Sequence, residues 1–144
     1  YECLAHPLDR KGLASGQVVG GNLSMLHTLS GTPSDIDIKG KILFIEDLDE
    51  YLYHIDRMMR QLQRSGKLAR LVGLVVGCFT KMRDNEVPFG KTVEEIIIEA
   101  VEEYSYPVCF NFPAGHIDDN RALIIGATAE LNVRNNGNSV VIQL

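Results

Sequence analysis

Apolar runs alternate with segments of helical periodicity along most of the chain. The first run, residues 16–22, precedes a short helical pattern, and the second, residues 41–46, precedes a helix over about residues 52–64. A third run, residues 72–79, is almost continuously apolar, as buried parallel strands are. Strands that alternate with helices predict an α/β domain with a mixed, mainly parallel sheet or open barrel and flanking helices.

Local signals mark where the predicted helices begin and end. Asn22 suits the N-cap of the first helix, and residues 31–33 (Gly-Thr-Pro) end it. Thr92 and Glu95 have the spacing of a capping box at the start of the third helix. Apolar stripes predict the faces that pack on the sheet: Leu52, Ile55, Met59 and Leu62 in the second helix, and Ile96, Ile97, Ala100, Val101 and Tyr104 in the third.

The two ends of the chain differ in character. Residues 1–14 are irregular and are interpreted as a linker or edge segment that follows a missing N-terminal domain, whereas residues 15–144 form the domain itself. A fourth apolar run, from Pro107, leads to His116 and predicts a further strand. Residues 122–133 and 139–144 then predict a C-terminal hairpin, joined through residues 135–138 (Asn-Asn-Gly-Asn).

Composition narrows the class of partner. The chain has 144 residues, 45% hydrophobic and 23% charged, as expected for one soluble domain. A net charge of −5 argues against nucleic acid or an anionic membrane as partner. Cys78 and Cys109 lie in apolar runs and predict buried reduced thiols; no zinc-ligand spacing, signal peptide or long apolar span occurs. The expected setting is the cytoplasm, with no cofactor and no metal.

The candidate chemistry lies at two strand ends. Glu46 closes the second apolar run and His116 follows the fourth. Functional groups of parallel sheets gather beyond the carboxyl ends of the strands, so these side chains are expected to meet at one edge. A carboxylate that orients a histidine, and a histidine that takes a proton, are what an activated hydroxyl nucleophile requires. No serine of this chain occupies a recognisable nucleophile setting.

Simpler interpretations of the same pair stay open at this stage. Glu46 can be a polar residue where a strand leaves the core, and His116 a turn residue that bonds to Asp118. A metal site of Glu46, His116, Asp118 and Asp119 has poor ligand spacing, so we predict none.

Neighbouring polar residues also have alternative explanations. Asp47 and Glu50 are either supporting groups of the site or solvated acids at a helix start. Asp56 and Arg57 predict an ion pair or a helix cap, and His54, which lies off the apolar stripe, is expected to be exposed. Residues 20–22 (Gly-Gly-Asn) suit either an anion at a helix start or close backbone packing.

Several short motifs follow one another over about residues 12–133. They are residues 20–23 (Gly-Gly-Asn-Leu), 45–47 (Ile-Glu-Asp) with Glu50, Tyr53, 55–58 (Ile-Asp-Arg-Met), 61–62 (Gln-Leu), Gly77 with Phe79, 107–108 (Pro-Val), and 115–116 (Gly-His) with Asn120. In this order and spacing they resemble the C-terminal domain of the LD-carboxypeptidases, or muramoyltetrapeptide carboxypeptidases. This serine peptidase family also contains the microcin-immunity peptidases.

The resemblance implies a fold and an activity. The fold would be similar to the swivelling β/β/α domains, and Glu46 and His116 would correspond to the acid and base of the triad. The serine would belong to the missing N-terminal domain, in a Gly-aromatic-Ser-Asp turn that this chain lacks, and the site would lie between the two domains.

The whole protein would then release terminal D-alanine from murein tetrapeptide during cytoplasmic cell-wall recycling. Since family members are often homodimers, the resemblance also suggests a homodimer. The chain alone is expected to be inactive. The alternative is a non-catalytic module that binds a small ligand or a partner through the same rim of strand ends.

Overall fold

A mixed sheet of seven strands with three flanking α-helices makes up the described part of the chain, residues 1–134 and 138–143, in the computed structural model. The strands are β1 (Glu2–Cys3), β2 (Gly12–Asn22), β3 (Ile42–Leu48), β4 (Gly73–Thr80), β5 (Val108–Cys109), β6 (Thr128–Val133) and β7 (Asn138–Gln143). The α-helices are α1 (Leu23–Leu29), α2 (Leu52–Arg64) and α3 (Val93–Ala100), and Leu68–Arg70 form a 3-10 turn.

The sheet has the order β1-β7-β6-β2-β3-β4-β5. Strands β2 to β5 are parallel, whereas β6, β7 and β1 join by antiparallel pairing, which confirms the predicted mixed α/β fold. Strand β2 links both parts: Gly12–Gln17 pair with β6, and Val18–Asn22 pair with β3. Its last residue, Asn22, therefore lies beside the end of β3.

The N-terminal segment takes part in the sheet. Glu2–Cys3 form the edge strand β1 against β7, and Gly12–Ala14 already belong to β2, four residues before the predicted start of that strand. Strand β6 begins at Thr128, later than the predicted 122, and pairs with β7 as the expected hairpin. Of the predicted turn at residues 135–138, Asn138 is the first residue of β7, and residues 135–137 lie outside the described residues.

The prediction that a regular strand runs to His116 is wrong, because β5 ends at Cys109. Asn111 has a positive φ of 59°, which interrupts the extended backbone, and Pro113 has no N–H for a ladder. The segment still follows β4: the Phe112 N–H donates to the Val76 carbonyl (3.1 Å), and the Cys78 N–H donates to the Ala114 carbonyl (3.0 Å). The chain therefore reaches the end of β4 without forming a strand.

Strand β3 is buried on both faces, and its side chains alternate between two hydrophobic clusters. Leu43 and Ile45 pack with the helices, whereas Ile42 and Phe44 pack with Phe112 and its neighbours on the other face. The next two residues continue this alternation, so Glu46 belongs to the Phe112 face and Asp47 to the helical face.

Most helix predictions are confirmed. The Asn22 side chain caps α1 through the Met25 N–H (3.1 Å), and Thr92 and Glu95 form the capping box of α3. Helix α3 ends at Ala100, so Val101, though fully buried, lies beyond it, as does Tyr104. No helix within the described ranges is long and apolar enough to cross a bilayer.

The predicted structural ion pair is confirmed for Asp56 but not for Arg57. Asp56 pairs with Arg60, one turn further along α2, at 3.5 Å, because residues four apart share a helix face. The Arg57 guanidinium instead lies over the Tyr53 ring, 5.7 Å from its centroid.

Candidate active site

Glu46 lies where the sheet loses its regular register. Ile45 pairs with Val76 on β4, but Asp47 pairs with Phe79, so two residues of β4 stand opposite the single residue Glu46. On its other side, Glu46 keeps its regular partner on β2, Asn22. The Glu46 side chain is only 8% exposed, which places a carboxylate inside the sheet end.

His116 is held beside that carboxylate by the backbone around it. Gly115 forms an isolated parallel bridge with Cys78, and its N–H donates to the Asn120 side-chain oxygen (3.1 Å). The Thr80 hydroxyl donates to the His116 carbonyl (3.2 Å). These bonds fix the histidine backbone against the end of β4.

The predicted meeting of Glu46 and His116 is confirmed. His116 Nδ1 lies 2.7 Å from Glu46 Oε2, although 70 positions separate the residues. The turn interpretation, a bond from His116 to Asp118, is wrong, since among the described residues the imidazole ring bonds to Glu46 alone. A carboxylate at Nδ1 selects the tautomer whose Nδ1–H donates, which leaves the Nε2 lone pair available as a base.

The side chains of Glu46 and His116 differ in their exposure to solvent. The buried carboxylate of Glu46 contrasts with the His116 side chain, which is 49% exposed. A group that approaches from outside can therefore reach Nε2 of the ring without disturbing the carboxylate. This geometry suits proton transfer to a reactant that a different part of the protein presents.

Two glycines make room for this contact. A Cβ atom on Gly115, whose φ is +126°, would lie 3.0 Å from Glu46 Oε2 and 3.1 Å from the Cys78 carbonyl oxygen. A Cβ atom on Gly77 would lie 2.5 Å from the Ala114 carbonyl oxygen and 2.7 Å from Cε2 of Phe44. Neither position leaves space for a side chain, so residues 114–116 can approach the β4 end closely.

The substitution Gly115→Ala is expected to weaken the Glu46–His116 contact. An alanine at this φ is strained by about 1–3 kcal/mol, and its methyl group would press on the carboxylate. Thermal unfolding should show a lower Tm, and a crystal structure of the variant should show a longer Nδ1–Oε2 distance. The exposed Gly126→Ala, with a φ of +93° but nothing within 4 Å of its Cβ, separates backbone strain from crowding. Equal effects on the contact distance in both variants would contradict the crowding argument.

The Cys78 thiol, opposite Glu46 at the register slip, is not an activated nucleophile. The prediction that Cys78 is buried is wrong, since it is only half-buried, whereas Cys109 is buried as expected. Burial raises the pKa of the Cys78 thiol, and the charge of Glu46 adds to the shift. The thiol therefore stays protonated and weakly nucleophilic. Ser24 lies on the helical face, where its hydroxyl donates to Asp47.

A second histidine–carboxylate contact lies at the start of α2, where Glu50 precedes the N-cap residue Tyr51. His54 Nδ1 is 2.7 Å from Glu50 Oε2, and the His54 side chain is 33% exposed, so the prediction of an exposed His54 is corrected to a half-buried one. Glu50 lies before the helix, and His54 lies in its first turn. The sequence pattern did not single out this pair.

Asp47 is not a solvated acid at a helix start. It is only 2% exposed and binds Asn22 and Ser24, which lie across the sheet end from it. No motif in the sequence pointed to Ser24, because its role depends on the pairing of β2 with β3.

The acidic residues after His116 do not join the pair. Asp118 and Asp119 are exposed, and Asp119 pairs with Arg121 at 3.2 Å. Within residues 1–134 and 138–143, no three His, Cys, Asp or Glu side chains are grouped closely enough to hold a metal ion.

Known proteins share this sequence and fold. The chain matches the LD-carboxypeptidase C-terminal domain over residues 15–131. It is 42% identical over 125 residues to a Bacillus subtilis protein named as a probable murein peptide carboxypeptidase, covering 84% of this chain and 38% of that protein. It is 33% identical over 127 residues to the murein tetrapeptide carboxypeptidase of Pseudomonas aeruginosa, covering 88% of this chain and 41% of that protein.

A solved structure extends the similarity to the whole described fold. The crystal structure of muramoyltetrapeptide carboxypeptidase from Oxalobacter formigenes has a TM-score of 0.90 and 30% sequence identity to this chain, and the match covers 100% of this chain and 49% of that one. The chain thus spans less than half the length of these relatives. Sequence and fold together show that it belongs to the LD-carboxypeptidase family and represents the family's C-terminal domain.

Proposed function

We propose that this chain is the acid–base half of a cytoplasmic serine LD-carboxypeptidase, which releases terminal D-alanine from murein tetrapeptide in cell-wall recycling. The observation that carries the proposal is the 2.7 Å contact between His116 Nδ1 and the buried Glu46 carboxylate. The names of the Pseudomonas and Oxalobacter relatives support the substrate class.

The first half of the reaction forms an acyl-enzyme. His116 Nε2 takes the proton of a serine hydroxyl while the serine oxygen forms a bond to the carbonyl carbon of the scissile peptide bond. Glu46 holds the Nδ1–H and stabilises the imidazolium that results. The imidazolium then gives its proton to the nitrogen of D-alanine as the C–N bond breaks, and D-alanine leaves.

The second half regenerates the serine. His116 takes a proton from water as the water oxygen attacks the ester carbonyl, and returns that proton to the serine oxygen as the ester bond breaks. Both steps develop negative charge on the carbonyl oxygen, so donors for an oxyanion are expected beside the serine.

The serine is assigned to the part of the protein outside this chain. In the described residues, no hydroxyl or thiol is hydrogen-bonded to the His116 ring. The relatives are more than twice as long as the matched region, which provides room for a second domain. The half-exposed ring of His116 is the surface at which that domain would present its hydroxyl.

The test is an assay of the full-length protein. Purified enzyme is expected to release D-alanine from murein tetrapeptide, and a fluorophosphonate probe is expected to label one serine outside residues 1–144. A tetrapeptide with terminal L-alanine serves as the control substrate and should be cleaved poorly. Failure to release D-alanine would contradict the proposed activity, and cleavage without any labelled serine would contradict the serine mechanism.

A further inference from the structure

The residue after Glu46 is the most completely bonded acid of the sheet end. Asp47 Oδ1 accepts hydrogen bonds from Asn22 Nδ2 (2.8 Å) and from the Leu48 N–H (2.8 Å). Asp47 Oδ2 accepts from the Ser24 N–H (2.9 Å) and from the Ser24 hydroxyl (2.8 Å). Each carboxylate oxygen thus receives one backbone N–H and one side-chain donor. The carboxylate is buried and its charge is stabilised by neutral donors.

The hydrogen bonds of Asp47 hold the strand end in place where Glu46 lacks regular pairing with β4. The register slip between Ile45 and Asp47 leaves Glu46 without a paired residue on β4, so on that side the ladder does not fix its backbone. On the other side, Glu46 pairs with Asn22, and the Asn22 side chain is the one that binds Asp47. The Asp47 carboxylate therefore ties the end of β3 to the end of β2 and to the first turn of α1.

Because side chains alternate between the two faces of β3, the hydrogen bonds of Asp47 also affect the orientation of Glu46. Glu46 and Asp47 are consecutive and point to opposite faces, one toward His116 and the other toward Ser24. A rotation of the strand end that released Asp47 from Ser24 would also swing the Glu46 carboxylate away from Nδ1. Close packing around Gly115 leaves little room for Glu46 to compensate through its own side-chain rotation.

We propose that Asp47 is a positioning residue, which holds Glu46 in the orientation that His116 requires. The inference rests on the proposed peptidase function, because its readout is the rate of D-alanine release. Asp47 touches no reacting atom in this account and acts only through Glu46.

Asp47→Asn in the full-length protein is the most direct test of this positioning role. Since each carboxylate oxygen accepts a backbone N–H, from Leu48 and from Ser24, the NH2 group of asparagine faces a donor in either amide orientation. The expected result is a fall in kcat of about 10²-fold, as for a catalytic group displaced by about 1 Å, with KM changed by less than about twofold. A loss that appears in KM alone would overturn the inference.

A milder variant keeps the test valid if Asp47→Asn does not fold. Ser24→Ala removes one side-chain donor and leaves both backbone donors in place. Loss of one such hydrogen bond is expected to lower kcat by about twofold to tenfold. Circular dichroism shows whether each variant is folded. An unchanged kcat in folded Ser24→Ala would contradict the proposal that the Asp47 hydrogen bonds position Glu46.

A double-mutant cycle separates positioning from general structural support. If Asp47 acts only through Glu46, Asp47→Asn in a Glu46→Gln background should lower the residual kcat by less than about threefold. A further loss of about 10²-fold would overturn the inference while leaving the proposed function intact. No D-alanine release by the wild-type protein would overturn both.

Discussion

His116→Ala in the full-length protein is expected to lower kcat for D-alanine release by about 10⁶-fold, the scale seen when the base of a serine triad is removed. Without the imidazole, nothing takes the proton of the attacking hydroxyl. The Glu46 carboxylate, which lies 2.7 Å from Nδ1 in the wild type, is too deeply buried to replace it. KM should change little, because the ring is assigned to proton transfer.

The matched control is His54→Ala. This substitution also removes a histidine whose Nδ1 lies 2.7 Å from a glutamate carboxylate, and it leaves the Glu46–His116 contact untouched. We expect the kcat of His54→Ala to stay within about threefold of the wild type, since neither His54 nor Glu50 is hydrogen-bonded to Glu46 or His116 in the described structure. Chromatographic measurement of the D-alanine released at fixed times gives kcat for both variants. Equal losses in the two variants would argue that His116 has no special role.

Residues 1–144, purified as a separate polypeptide, are expected to release no D-alanine from murein tetrapeptide. The chain supplies a base and its carboxylate, but none of its described hydroxyls is hydrogen-bonded to the ring: Ser24 binds Asp47, and the Thr80 hydroxyl binds the His116 backbone. The protonated thiol of Cys78 is a poor substitute.

Addition of the remaining part of the protein should restore activity. The measurement is D-alanine release by the separate polypeptide, by its missing part, and by the two mixed, with circular dichroism to establish that each is folded. The same mixture with His116→Ala should stay inactive. Turnover by the 144-residue polypeptide alone would refute the assignment of the nucleophile to another domain.

The elements that depend on local sequence were predicted well. Helix α2 was expected over about residues 52–64 and spans Leu52–Arg64, because the period of its apolar face is visible in the sequence. The capping box at Thr92 is likewise a local pattern. The meeting of Glu46 with His116 followed from a more general rule, that parallel strands bring their carboxyl ends to one edge.

The features that were missed depend on contacts distant in sequence. Burial of Asp47 needs Asn22 and Ser24 beside it, and those residues arrive only when β2 pairs with β3. The register slip at Glu46 depends on how β4 lies against β3 and the segment before His116. An apolar run predicted a regular strand to His116, yet Asn111 and Pro113 break it, since hydrophobicity reports burial and not backbone geometry.

The unequal exposure of Glu46 and His116 has a consequence for assembly. Because the acid is already shielded from water within this chain, the imidazole is oriented before any second domain arrives. In the proposed two-domain enzyme, the second domain would need to deliver only a hydroxyl to Nε2 of His116, and its departure would leave the Glu46–His116 contact intact.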